Sequence, residues 1–161
     1  MTDIKSMTLE ELTAWLKSQG EPGFRAKQIF RWIYRGVTSF DEMTDLSKSL
    51  REKLKETCFL TVPKVARKQV SQLDGTIKYL WELGDGNCIE TVLMRYKHGN
   101  TICVSSQVGC RMGCRFCAST QAGRVRDLTA GEIAAEIYTA QKDTGAVSYT
   151  HLRAHETVLD L

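Results

Sequence analysis

From Leu9 to Leu54 apolar residues recur every three or four positions, and beyond Pro63 they alternate, so the chain passes from a helical to a strand regime. Thr8 with Glu11 forms a capping box ahead of Leu9, Leu12, Trp15 and Leu16, and Gly20 supplies a stop. A second helix is predicted over 24–35, with Ala26, Ile29, Phe30, Ile33 and Tyr34 facing inward and Lys27, Arg31 and Arg35 forming a basic stripe. Asp45 is expected to open a third, with Leu46, Leu50 and Leu54 on its apolar side. The alternating part reads as an antiparallel meander: KQVSQL, TIKYLWEL, CIETVLMRY and TICVSS, separated by Asp74-Gly75, GDGN at 84–87 and HGN at 98–100. A cysteine-rich loop follows, then a helix capped by Thr129 with Glu132, buried through Ile133, Ile137 and Tyr138 and stopped by Gly145. Strand, loop and helix in that order resemble the first βα unit of an α/β barrel, whose chemistry sits at the C-terminal ends of its strands. The fold class expected is therefore α+β: a helical domain over 1–60, then over 61–145 antiparallel strands and the start of a barrel.

Composition changes this picture little, because 42% hydrophobic and 25% charged residues in a 161-residue chain are ordinary for a globular protein. No apolar run approaches the roughly 18–20 residues of a membrane span, and no basic-then-apolar leader opens the chain. A cytoplasmic location with no membrane association is expected, where clustered cysteines are metal ligands or catalytic thiols rather than a disulfide framework. The net charge of +3 is too small to mark a nucleic-acid binder, but 91–126 holds no acidic residue and carries Arg95, Lys97, Arg111, Arg115, Arg124 and Arg126. Such a field suits an anionic substrate; equally, it could offset a metal-thiolate centre or be solvated.

Four of the six cysteines lie between Cys103 and Cys117, three of them as Cys110-x-x-x-Cys114-x-x-Cys117. A structural zinc site wants four ligands, usually presented in pairs, and Cys103 on an apolar strand makes an unusual fourth. Three thiolates on a short loop suit an iron–sulfur cluster with one iron left open, and Gly109 and Gly113 let the backbone wrap closely. Read alone, Glu90 in Ile89-Glu90-Thr91-Val92 is a solvent-facing strand residue and Cys103 a half-buried strand cysteine. Cys58 and Cys88 are assigned structural places, and His98 a place in a turn.

The string CRMGCRFC, with Phe116 before the last cysteine, resembles the CxxxCxxC signature of the radical S-adenosylmethionine (SAM) superfamily. IETV, TICVSSQVGCRMGCRFCAST and VRDLTAGEI together resemble the bacterial dual-specificity RNA methyltransferases, which methylate carbon 2 of an adenine in 23S ribosomal RNA and in transfer RNA. The likeness runs over about 1–145 and would make the helical domain RNA-facing. It implies a [4Fe-4S] cluster on Cys110, Cys114 and Cys117, S-adenosyl-L-methionine on the open iron, and an electron donor such as flavodoxin or ferredoxin. It further implies that Glu90 accepts the adenine proton. Cys103 would be the thiol that resolves a covalent RNA–protein intermediate, ending in a transient disulfide with a methyl-carrying cysteine nearer the family's C-terminus. Two alternatives stand beside this reading: a relative methylating adenine carbon 8, and a four-cysteine zinc RNA-binding module.

After Gly145 the chain reads AVSYTHLRAHETVLDL, without the family's Gly-Glu-Pro motif. This tail, 146–161, is similar to a stretch recurring at the broken ends of unrelated bacterial sequences, where it looks like translated adapter DNA. It is expected to be foreign to the family, the chain to be an inactive N-terminal fragment, and its barrel strand to present an unpaired edge.

Overall fold

The computed structural model describes residues 1–97, 99–121, 123–145 and 151–154. The turn reading of His98 and the remainder of the tail lie outside the described residues. Two compact units are present: Met1–Val62 with Ala130–Asp143, and Pro63–Thr129 with the described residues after Asp143.

The first unit opens with β1 (Thr2–Asp3), runs through α1 (Leu9–Ser18), α2 (Arg25–Tyr34) and α3 (Lys48–Thr57), and reaches β2 (Cys58–Phe59), which pairs in parallel with β1. The capping box forms as expected: the Glu11 N–H donates to Thr8 Oγ1 (3.2 Å) and the Thr8 N–H to Glu11 Oε2 (2.7 Å). Gly20 follows the helix at φ +76°, a left-handed position that suits glycine. The start of α3 differs from expectation, because Ser47, not Asp45, caps it through the Leu50 N–H (3.3 Å). Asp45 instead accepts the indole N–H of Trp32. The core gathers Leu12, Leu16, Ile29, Ile33, Leu50 and Leu54 with Ile4 and Met43. Each such side chain contributes about 1.5–3 kcal/mol on burial. Tyr34, expected inside, is 59% exposed and lies edge-on to Phe30 and Tyr138.

The second unit is built on β3 (Lys64–Val70), β4 (Ile77–Glu82), β5 (Cys88–Tyr96) and β6 (Gly99–Val104), antiparallel and adjacent in that order. Its turns are the expected ones, with Asp74 accepting the Thr76 N–H and Asp85 the Asn87 N–H. The first strand begins at Lys64, before the expected KQVSQL, and ends at Val70. Trp81 and Tyr79 stack on the buried face, where the Trp81 indole donates to Thr91 Oγ1 (2.7 Å). A separate antiparallel ribbon joins β7 (Gln107–Gly109) to β8 (Arg124–Asp127).

The chain then returns to the first unit as α4 (Ala130–Thr144), a helix expected to belong with the strands. Its buried residues are Gly131, Ala135, Glu136 and Ala140, while Ile133 and Ile137 are only half-buried. A glycine is required at the start of the helix. The Gly131 N–H donates to Ser6 Oγ (2.9 Å), and a Cβ on Gly131 would collide with Asp3 Oδ2 and Ser6 Oγ. Further along, the Tyr138 carbonyl oxygen would lie 3.0 Å from a Cβ on Gly36. Gly145, at φ +65°, ends the helix as expected.

Last comes β9 (His151–Ala154), parallel to β6 from Thr101↔His151 to Val104↔Ala154. The edge of β6 expected to stand open is thus paired by a piece of the tail. An unpaired row of N–H and C=O groups recruits any extended segment within reach. Among the described residues, no helix is long and apolar enough to cross a membrane.

Candidate active site

The ribbon of β7 and β8 is the clasp of the cysteine loop. Val108 pairs with Arg126 and Gly109 with Arg124 across a bulge, and the Cys110 N–H donates to the Gly123 carbonyl (3.2 Å). Gly109 sits at φ +70°, and a Cβ there would coincide with the Gly123 carbonyl oxygen, so only glycine lets the strands approach this closely. Inside the clasp the Cys117 N–H donates to the Cys114 carbonyl (3.1 Å). The Thr120 hydroxyl lies within hydrogen-bond reach of the carbonyls of Cys114 (3.1 Å) and Cys117 (2.9 Å). One side chain therefore ties together the backbone at two of the three cysteines. Cys110, Cys114 and Cys117 are half-buried free thiols, and the Met112 N–H points at Cys110 Sγ (3.5 Å). Phe116 is 94% exposed, and Arg111 and Arg115 are exposed beside it. Among the described residues, no three His, Cys, Asp or Glu side chains are gathered as a single metal ion requires.

Glu90 lies on β5 opposite Leu80, and Cys103 on β6 opposite Val92. Since side chains alternate along a strand, the register puts Glu90, Val92 and Cys103 on one face of the sheet. Glu90 Oε1 is 2.7 Å from Lys78 Nζ, and its carbonyl accepts the Ser105 hydroxyl (2.8 Å). A cleft of about 390 Å³ opens over this face, lined by Cys88, Glu90 and Ser105 from the sheet side and by Gly109, Ala118 and Ser119 from the loop side. The structure thus brings Glu90 together with the two ends of the cysteine-bearing segment. Cys103 and the three loop cysteines are not among the lining residues.

Cys88, assigned a structural place from sequence, is exposed in this cleft, whereas Cys58 is buried and its thiol pKa is raised by that burial. Period two was the available signal, because Cys88 precedes Glu90 by two residues on one strand. Ser105 had no such signal; its role depends on a cross-strand hydrogen bond. The acid-free stretch is also less electropositive than its composition suggests. Arg126 Nε pairs with Asp85 Oδ2 (2.7 Å) and Arg124 with Asp127. Arg126, and then Asn87, hold the Asp85 carboxyl well below the usual range.

A solved radical SAM methyltransferase from Sphaerobacter thermophilus resembles this chain with a TM-score of 0.84 and 40% identity, over 96% of this chain and 47% of that one. The fold places the chain beside the radical SAM methyltransferases. Residues 2–60 match the family model described as the ribosomal RNA large subunit methyltransferase N-terminal domain. Proteins described as probable dual-specificity RNA methyltransferase RlmN are 56% identical over 144 residues in Clostridium novyi and 55% identical over 146 residues in Lachnospira eligens. These alignments cover 89% and 90% of this chain, which spans 42% of the length of each relative. Over these residues the chain resembles the dual-specificity RNA methyltransferase family.

Proposed function

We propose that this chain is the N-terminal portion of a cytoplasmic radical SAM enzyme that methylates adenine carbon 2 in 23S ribosomal RNA and transfer RNA, with β6, the cysteine loop and α4 as the first βα unit of its barrel. The observation that carries the reading is the clasped loop, which presents three free thiols beside a cleft holding Glu90. Cys110, Cys114 and Cys117 would hold a [4Fe-4S] cluster. The donor set fits, being three soft thiolates on one short segment with a backbone N–H directed at one sulfur, and a cluster attaches its ligands to different irons, so they need not converge on one point. Such a group, with a flavodoxin or ferredoxin as electron donor, would supply the one-electron chemistry needed to cleave the sulfonium of S-adenosyl-L-methionine.

The chain's own residues supply the rest. Lys78 fixes the direction of the Glu90 carboxylate, which is the proton acceptor for the substrate base. Cys103, on the same face, is the resolving thiol. Lys27, Arg31 and Arg35 on the outer side of α2 are exposed, with the Arg35 guanidinium over Trp32, and give the helical unit a cationic track for RNA.

Anaerobic reconstitution with iron and sulfide tests the reading. It should yield about four irons per chain, and Cys110→Ala, Cys114→Ala or Cys117→Ala should each abolish uptake. Stoichiometric zinc without iron–sulfur absorbance would overturn it in favour of a zinc module.

A further inference from the structure

The outermost strand of the sheet is exposed along its whole length. All seven residues of β3, Lys64 to Val70, are open to solvent, on both faces, though all but Ala66 are paired to β4. A register shift between Val65 and Arg67 places Arg67 opposite Leu80 and Lys64 opposite Glu82. Leu80 is in turn opposite Glu90 and lines the same cleft. Arg67, Leu80 and Glu90 therefore form one row across three adjacent strands, on the face that carries the cleft. Lys68, one residue on, falls on the opposite face beside Tyr79, with its ammonium 5.7 Å from that ring.

We infer that Arg67 is a phosphate-binding residue beside the cleft, holding the RNA backbone next to the base presented to Glu90; this rests on the reading of the site given above. Adjacent strands are about 4.8 Å apart, so the backbone at Arg67 lies about 10 Å from that at Glu90. A guanidinium at the end of an arginine side chain spans the remaining distance to a phosphate flanking a base over Glu90. Arginine suits the task because its planar fork meets two phosphate oxygens at once and remains charged at every working pH. The shift in register makes the placement specific: had the pairing of Lys64 and Val65 continued in regular step, Arg67 would lie opposite Tyr79, on the other face of the sheet. Lys64 extends the same edge, opposite Glu82, and Gln69 continues it opposite Lys78. A sheet edge charged only to deter edge-to-edge pairing makes a different prediction.

The test uses the 161-residue chain and an RNA stem-loop with an unpaired adenine, with affinity measured across a salt series. Arg67→Gln should weaken binding about 5–10-fold and lower the slope of log affinity against log salt by about 0.7–0.9, the value for one phosphate contact. Arg67→Lys should restore most of the slope but not all of the affinity, and Lys68→Gln on the opposite face should change neither. Thermal melts of each variant establish that the fold is retained, and binding is compared only between folded chains. Equal affinity and slope for Arg67→Gln and the parent chain would overturn the inference while leaving the enzyme reading standing. So would a variant that aggregates more readily but, in its monomeric fraction, binds RNA with the parent's salt slope. Failure of the parent chain to bind the stem-loop at any salt concentration would overturn the inference together with the RNA-binding part of the proposed function, whereas failure to take up iron in the separate reconstitution would strike the enzyme reading alone.

Discussion

A methyl group at Gly109 would occupy the place of the Gly123 carbonyl oxygen, whereas one at Gly113, also at positive φ, would meet open space. Both alanine substitutions carry the left-handed backbone penalty of about 1–2 kcal/mol. Only Gly109→Ala must also part β7 from β8. It should make Arg111 and Arg115 markedly more susceptible to trypsin and reduce iron retention, while Gly113→Ala does neither. Equal cleavage of the two variants would show that the ribbon is not the clasp. Cys103→Ala, placed in a full-length relative, should leave iron uptake intact, stop turnover and accumulate RNA-linked protein on a denaturing gel. Loss of iron would make Cys103 a ligand instead, and normal turnover would make it a packing residue. At this scale the sequence carried the types and spacing of the thiols but not their surroundings. Thr120 and Ser105 gain their places from hydrogen bonds to carbonyls that only the folded loop and sheet bring near them.

The three helices of the first unit were legible because their apolar spacing and caps point the same way, and the four antiparallel strands because a turn signal stands in every gap. What was misplaced turned on competition between similar signals. Asp45 and Ser47 are both good N-caps within two residues of each other, and the Trp32 indole claims the aspartate. Ser47→Ala should therefore destabilise the chain by about 1 kcal/mol through α3, whereas Asp45→Ala should remove a contact to α2 and leave the α3 cap intact. Helicity of α3, followed by hydrogen exchange at the Leu50 amide, separates the two. The short 3-10 turn over Phe40–Glu42 contains a second device. The Thr38 hydroxyl and backbone N–H, aided by Lys142, hold the Glu42 carboxyl down to about 2, from an ordinary value of 4.5. A depressed acid contributes stability above its unfolded pKa, and that stability is lost as pH falls through the folded value. Melting temperature should thus fall between pH 4.5 and 2, and Glu42→Gln should flatten that fall while lowering stability at neutral pH.

Across the whole molecule, the least legible features are those in which one part of the chain completes another. Hydrophobic periodicity said nothing of β9, since its pairing answers the open edge of β6 rather than any alternation of its own. Nor could it show that α4 returns to the first unit, because the contacts run through Gly131, whose value lies in what it leaves room for, and through Tyr138 and Lys142 rather than an apolar stripe. That return has a measurable consequence. Residues 2–60 match a family model by themselves, yet the unit containing them also holds Ala130–Asp143. A chain cut at Val62 loses the Gly131–Ser6 hydrogen bond, the Lys142–Glu42 pair and the Tyr34–Tyr138 contact. Joining 130–145 to 1–62 through a flexible Gly/Ser linker should therefore raise the melting temperature above that of 1–62 alone. A gain of about 4–8 °C is expected for each kcal/mol recovered at this size. Gly131→Leu in the fusion should cancel the gain, because the added side chain would displace Asp3 and Ser6 from the helix start. If 1–62 melts cooperatively at the temperature of the fusion, α4 contributes nothing to the helical unit and the division at Val62 is complete.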